Sequence, residues 1–257
     1  MGSKARGLLW VAAACALAVT LAFGLPWGAK RLPWGVERWM ARVLGSGTSA
    51  PVCGAATRPV TSAAAASALD QLVRRLYPLY PEDREVPITV DVLAGDTVNA
   101  YAALGGHIHV FDGLLQQAQS PEELAGVLAH EIEHVRNRHI TQDLAVRLLT
   151  ISVLSAVLPD QAGQAQAAYL LLTLKFSREQ ESEADRLGLE RLKAAQVDAE
   201  GFRQFFSRAR KLPSPPQFLS SHPDDDRRAE LAAAYRGYPV EPVLADADWQ
   251  ALRNICR

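Results

Sequence analysis

One stretch constrains this chain more than any other: Ser120-Pro-Glu-Glu-Leu-Ala-Gly-Val-Leu-Ala-His-Glu-Ile-Glu-His134. Serine before proline, with glutamate three residues after the serine, marks a helix start. The hydroxyl caps an open backbone N–H, and proline's missing N–H is no loss at the first helical position. His130 and His134 therefore lie on one helix. Four residues at about 100° each bring them within roughly 40° of one face, one turn apart, so both imidazoles can reach a single metal ion. Glu131, offset by about 100°, falls beside the position of a metal-held water, where a general base belongs. The rest of the chain has to fold around this helix and supply a further ligand.

The best supply is the acidic segment Ser177-Arg-Glu-Gln-Glu-Ser-Glu-Ala-Asp185, in which Glu179, Glu181 and Glu183 compete. Glu181 is preferred because Asp185 lies one turn beyond it on the same face. From there it can accept the free ring N–H of a ligand histidine, His130 in the first instance. The expected group is one Zn2+ per chain on His130, His134 and Glu181. Zinc lowers the pKa of a bound water to about 7, and Glu131 is positioned to take the proton as that water attacks a carbonyl. His139, about 140° around the helix from His134, faces away and reads as structural. His107 and His109 share one face of a strand. After Gly105-Gly106, the run Gly106, His107, Ile108 and His109 reads as an edge strand that pairs with an extended peptide, in preference to a second metal site.

The chain has 257 residues, 49% of them hydrophobic, enough for one core-forming domain plus an N-terminal appendage. A formal net charge of −1 gives no extended basic field, so nucleic acid is not an expected partner. Lys4 and Arg6 precede an apolar run, Leu8 to Leu25, of bilayer-spanning length. A membrane anchor is favoured over a signal peptide cleaved near Ala22-Phe-Gly24. The basic residues on both sides leave its orientation open. Residues 1–30 are thus the anchor or signal segment, and 31–62 an interfacial Trp- and Arg-bearing stretch with a small-residue linker. Residues 63–257 form the domain. Within it, a helix is expected over 63–77 and a strand over 86–93, with short strands over 99–102 and 107–111. Helices follow from 120 to 236, broken at Pro159, near Val197 and through 212–223. Leu144 to Leu158 is too short to span a bilayer and reads as a buried helix ahead of a lipid-contacting flap. Cys53 and Cys256 either pair in an oxidising compartment or stay free.

Several motifs together resemble the HtpX-like and CAAX-prenyl-protease-like zinc metallopeptidases, and especially their periplasmic BepA- and LoiP-like branch. They are Asn99-Ala-Tyr-Ala with Gly105-Gly106, Glu122 through His134, Arg138-His139, Ser177-Arg178 with Glu181-Ser-Glu-Ala-Asp185, and Ser221-His-Pro223 with Arg228. The resemblance covers roughly 99–228. It implies an α+β, mainly helical, zincin-like (gluzincin) domain with a small antiparallel sheet, zinc on His130, His134 and Glu181, and Glu131 as base. It also implies cleavage of envelope or membrane-associated proteins in the bacterial cell envelope. A single-pass inner-membrane anchor with a periplasmic domain is the expected placement. Glu133 stands where that family often has glycine, and Ala103-Leu104 replaces the usual Leu-Pro. Glu133 bears on substrate preference.

His222 sits in the Pro-rich stretch 212–223 with no evident structural place. It reads either as a donor to the developing oxyanion, with Arg228 as the alternative donor, or as a fourth zinc ligand that holds the site latent. Two other readings of the whole chain stand beside proteolysis: a zinc-binding chaperone that no longer cleaves, and a zinc hydrolase of small molecules. Oligomeric state is not readable from the sequence.

Overall fold

The computed structural model describes residues 24–44, 50–53, 63–157, 176–211, 216–222 and 227–257. Nearly all of the expected anchor, most of the linker, the break at Pro159 and the loop positions 212–215 and 223 lie outside the described residues. The chain divides into two compact units, Met1–Pro33 with Arg138–Leu174, and Trp34–Asn137 with Lys175–Arg257. Apart from His139, every candidate site residue belongs to the second.

That unit opens with α1 (Trp34–Leu44) and α2 (Ala63–Leu76). Strands β1 (Thr89–Leu93), β2 (Ala100–Ala103) and β3 (His107–Phe111) follow, then α3 (Asp112–Gln117) and α4 (Pro121–Arg136). In α2, Ala65, Ala68, Leu72 and Leu76 recur at helical spacing and form the buried stripe. The sheet order is β1-β3-β2, with β1 parallel and β2 antiparallel to β3. It is therefore mixed, where an antiparallel sheet was expected. His107–Phe111 is its middle strand, so the edge-strand reading of Gly106 to His109 does not hold. Ile108 and Val110 explain the position: both are essentially fully buried, and the middle of a sheet is where such a strand loses most water. Gly105 turns the chain between β2 and β3 at φ 81°, a conformation that disfavours side-chain-bearing residues.

Ser120 caps α4 as its sequence demands, its Oγ accepting the Glu123 N–H at 3.3 Å. The helix is buried on nearly every side. It packs on β2 and on two later helices, α6 (Arg178–Ala194) and α7 (Glu200–Ala209); His139–Val157, in the other unit, is α5. Gly188 brings α6 close: a Cβ there would lie 3.2 Å from the His130 backbone nitrogen. Helices α8 (Gln217–Ser221), α9 (Arg227–Ala234) and α10 (Asp246–Arg253) complete the unit. Phe202, Phe205, Phe206 and Phe218 fill the core between them. Cys53 and Cys256 form a disulfide, joining the segment after α10 to a stretch that lies along β1, where the Cys53 N–H donates to Val92 O at 2.7 Å.

In the first unit, residues 24–29 are helical, and α5 begins only after a break at Arg138, φ 56°. His139 therefore opens a new helix and does not continue α4. The buried reading of Leu144 to Leu158 is not met in its described part, because Val146 and Leu148 are 38% and 47% exposed. Arg147 pairs with Asp143 on that helix at 2.8 Å. No helix among the described residues is long and apolar enough to cross a membrane.

Candidate metal centre

Ser177 caps α6, its side chain accepting from the Gln180 N–H and its own N–H donating to the Gln180 side-chain oxygen. Phased by that start and pressed close by Gly188, α6 turns Glu181 and Asp185 toward His130. Glu179 stays exposed and Glu183 half-buried, so of the three competing glutamates only Glu181 enters the cluster.

His130, His134, Glu181 and His222 bring their ligand atoms together in one buried group. His130 Nε2 is 3.0 Å from His134 Nε2 and 3.1 Å from His222 Nδ1. Glu181 Oε1 is 3.1 Å from His222 Nδ1 and 3.5 Å from His134 Nε2, and Oε2 is 3.5 Å from His130 Nε2. Ligands held about 2.0–2.1 Å from a tetrahedral zinc are separated by about 3.3 Å, so the spacing fits that ion. Charge fits as well. Among the described residues, the buried carboxylates of Glu131, Glu181 and Asp185 face one guanidinium, Arg228, and a dication balances the remainder.

The supports of the cluster are explicit. Asp185 Oδ1 lies 2.8 Å from His130 Nδ1, which leaves Nε2 of that ring as the lone-pair nitrogen. Arg228 donates from Nε to Asp185 Oδ2 at 2.6 Å and from a terminal nitrogen to Glu181 Oε2 at 3.1 Å. Burial alone would raise both acids. His222, His130 and Arg228 nevertheless hold Glu181 below the ordinary carboxylate range, and His130 and Arg228 do the same for Asp185. Burial likewise works against a charged His222, but Glu131 and Glu181 raise its pKa. Glu131 is fully buried, its Oε1 is 3.3 Å from His222 Nε2, and among the described residues neither carboxylate oxygen makes a hydrogen bond. A buried carboxylate left so is costly unless something else engages it.

His107 and His109 stand apart from this group. They stack with ring centroids 6.0 Å apart, their Nδ1 atoms 3.7 and 3.8 Å from Asp91 Oδ2. Glu133 faces the other way from the ligands. It accepts from Arg191 Nε at 2.7 Å and from Arg136 at 2.9 Å, and both arginines also pair with Asp83. The residue replacing glycine in the motif thus joins α4 to α6 and to the Pro81–Glu85 turn. Sequence reasoning missed two aromatic supports, Phe176 stacked on His134 at 3.9 Å and Phe218 on His222 at 4.6 Å. Phe176 directly precedes the α6 cap and Phe218 lies one turn before His222, which are the only sequence signals they offer.

The sequence pattern of peptidase family M48 matches residues 65–235. A Vibrio cholerae protein assigned to the β-barrel assembly-enhancing proteases is 32% identical over 204 residues, 72% of this chain and 42% of the relative. The β-barrel assembly-enhancing protease of Escherichia coli K12 is 29% identical over 181 residues, 63% of this chain and 37% of the relative. The mitochondrial metalloendopeptidase OMA1 of Arabidopsis thaliana is 36% identical over 142 residues, 53% of this chain and 29% of the relative. The chain spans less than half the length of each.

Proposed function

The chain belongs to peptidase family M48, and from that premise we propose that it is a zinc-dependent endopeptidase with Glu131 as its general base. The observation that carries this is the pairing of a zinc-shaped ligand group with a buried carboxylate, Glu131, whose oxygens make no hydrogen bond among the described residues. When bound, zinc supplies Lewis acidity and acidifies a water to a pKa of about 7. Glu131 takes the proton of the attacking water and passes it to the leaving amine. Asp185 orients His130, and Arg228, bonded to Asp185 and Glu181, is a positioning residue. That role suits its burial better than donation to an oxyanion. An extended substrate pairs with β2, which has one strand partner among the described residues and packs against α4.

His222 fits latency better than oxyanion support. Its Nδ1 stands among the ligand atoms, so with α8 seated it would serve as a fourth ligand that substrate has to displace. His222→Ala is expected to keep zinc and raise basal proteolysis. Lower turnover with unchanged zinc would reverse the assignment.

The proposed setting is the bacterial envelope, with residues 8–25 as the tether, the catalytic unit on the periplasmic side and misfolded envelope proteins as substrates. The names of the bacterial relatives and the disulfide, a bond typical of oxidising compartments, support this. A non-cleaving zinc chaperone remains the contrasting reading, and it leaves Glu131 unexplained. Unfolded casein or a β-barrel protein separates the two. The protease is expected to cut it, lose activity to a chelator and regain it with zinc. Protection from aggregation without cleavage would favour the chaperone.

A further inference from the structure

Helix α1 has two faces that do different things. Its inner face packs on the turn Leu104–Gly106 between β2 and β3. There Glu37, 2% exposed, accepts the Gly105 N–H at 3.1 Å, and a Cβ on Gly105 would come within 2.9 Å of Ala41 Cβ. The outer face is apolar where a helix on a protein surface ordinarily turns polar. Val36, Trp39 and Val43 are 38%, 57% and 63% exposed. They fall within about 60° of arc, roughly 150° from the line of Glu37 and Ala41. Beside them, Arg38 and Arg42 line a groove of about 660 Å³ with Pro87, Thr89, Gly105 and His107.

We propose that α1 is a docking surface for an anionic phospholipid bilayer. Trp39, Val36 and Val43 enter the headgroup–acyl boundary, and Arg38 and Arg42 meet lipid phosphates at the groove. Charge identifies the occupant. The single acidic residue of α1, Glu37, is turned inward, so the charge the helix presents outward is wholly basic and flanks an apolar face. Tryptophan and β-branched side chains bordered by arginine suit a lipid interface, where the arginine stems lie along the apolar zone while their heads reach phosphate. Docking in this way also seats the β2–β3 turn through Glu37, and with it one end of the proposed substrate edge. The surface rests on α1 alone and needs neither the tether nor proteolysis.

The test uses the full-length protein with vesicles of phosphatidylethanolamine and phosphatidylglycerol carrying brominated acyl chains. Tryptophan quenching in wild type minus that in Trp39→Phe reports Trp39. It is expected to be strong with phosphatidylglycerol, weaker when phosphatidylcholine replaces it, and mostly lost in Arg38→Gln/Arg42→Gln. Protein that floats with the vesicles while Trp39 stays unquenched would overturn docking and leave the tether intact. Protein that does not float at all overturns both. An unquenched Trp39 in a protein that is dimeric by light scattering, with the dimer lost in Trp39→Ser, would assign the face to a second copy instead.

Discussion

At the scale of single residues, the ligand assignment separates neighbours that share chemistry but not position. Glu181→Ala is expected to lose zinc, whereas Glu179→Ala keeps it, because the Glu179 side chain is exposed and outside the cluster. Metal content of the purified variants reads the difference, and equal loss in both would reverse the assignment. Asp185→Asn still reaches His130 but no longer favours its ring N–H, so zinc affinity or activity is expected to fall about 10-fold to 100-fold. His130 and His134 were legible because helical spacing restricts them to one side, and Glu181 because Asp185 lies one turn beyond it. His222 could be suspected only from its loop, since its approach depends on how α8 seats against the core through Phe218. The role of Glu133 was not legible at all. Its partner Arg191 is 58 residues away in the chain, and Asp83, which Arg191 also binds, is 50 residues away, so only the fold makes them neighbours. Arg191→Leu leaves two buried carboxylates short of a partner and is expected to cost about 3–5 kcal/mol in chemical denaturation. A loss close to zero would show that Arg136 suffices for both.

Among the elements, α4, whose cap is written in local sequence, began where Ser120 indicated. The order of the strands did not follow from sequence, because alternation identifies a strand without saying which neighbours it takes. β3 looked like an edge on the strength of Gly105-Gly106, yet those glycines serve the turn that packs under α1. The disulfide was equally open from sequence, since proximity of Cys53 and Cys256 depends on α10 packing against α2 and on residues 50–53 lying along β1. Removing it through Cys53→Ser/Cys256→Ser is expected to lower stability by about 2–5 kcal/mol. A thermal melt unchanged in that variant would show the two segments held by packing alone.

For the molecule as a whole, acid stability follows from the network behind the metal helix. Burial would raise the Asp83 carboxyl, but Arg191 and the Leu79 and Tyr80 N–H groups hold it below its ordinary value of 3.8. The folded state therefore keeps that charge where the unfolded chain already binds a proton. The stability it supplies is complete above the ordinary value and is lost as pH falls through the folded one. Asp83→Asn is expected to be less stable at neutral pH and to show a shallower decline below about pH 4. A parallel decline in both proteins would remove Asp83 from the acid limb. The central claim, that a zinc ion and Glu131 together cleave peptide bonds, is tested most directly by measuring zinc content and casein cleavage in parallel on wild type and Glu131→Gln. One zinc per chain in both, with cleavage in the wild type alone, is the expected result. Cleavage retained in Glu131→Gln, or a wild type that cleaves without metal, would contradict it.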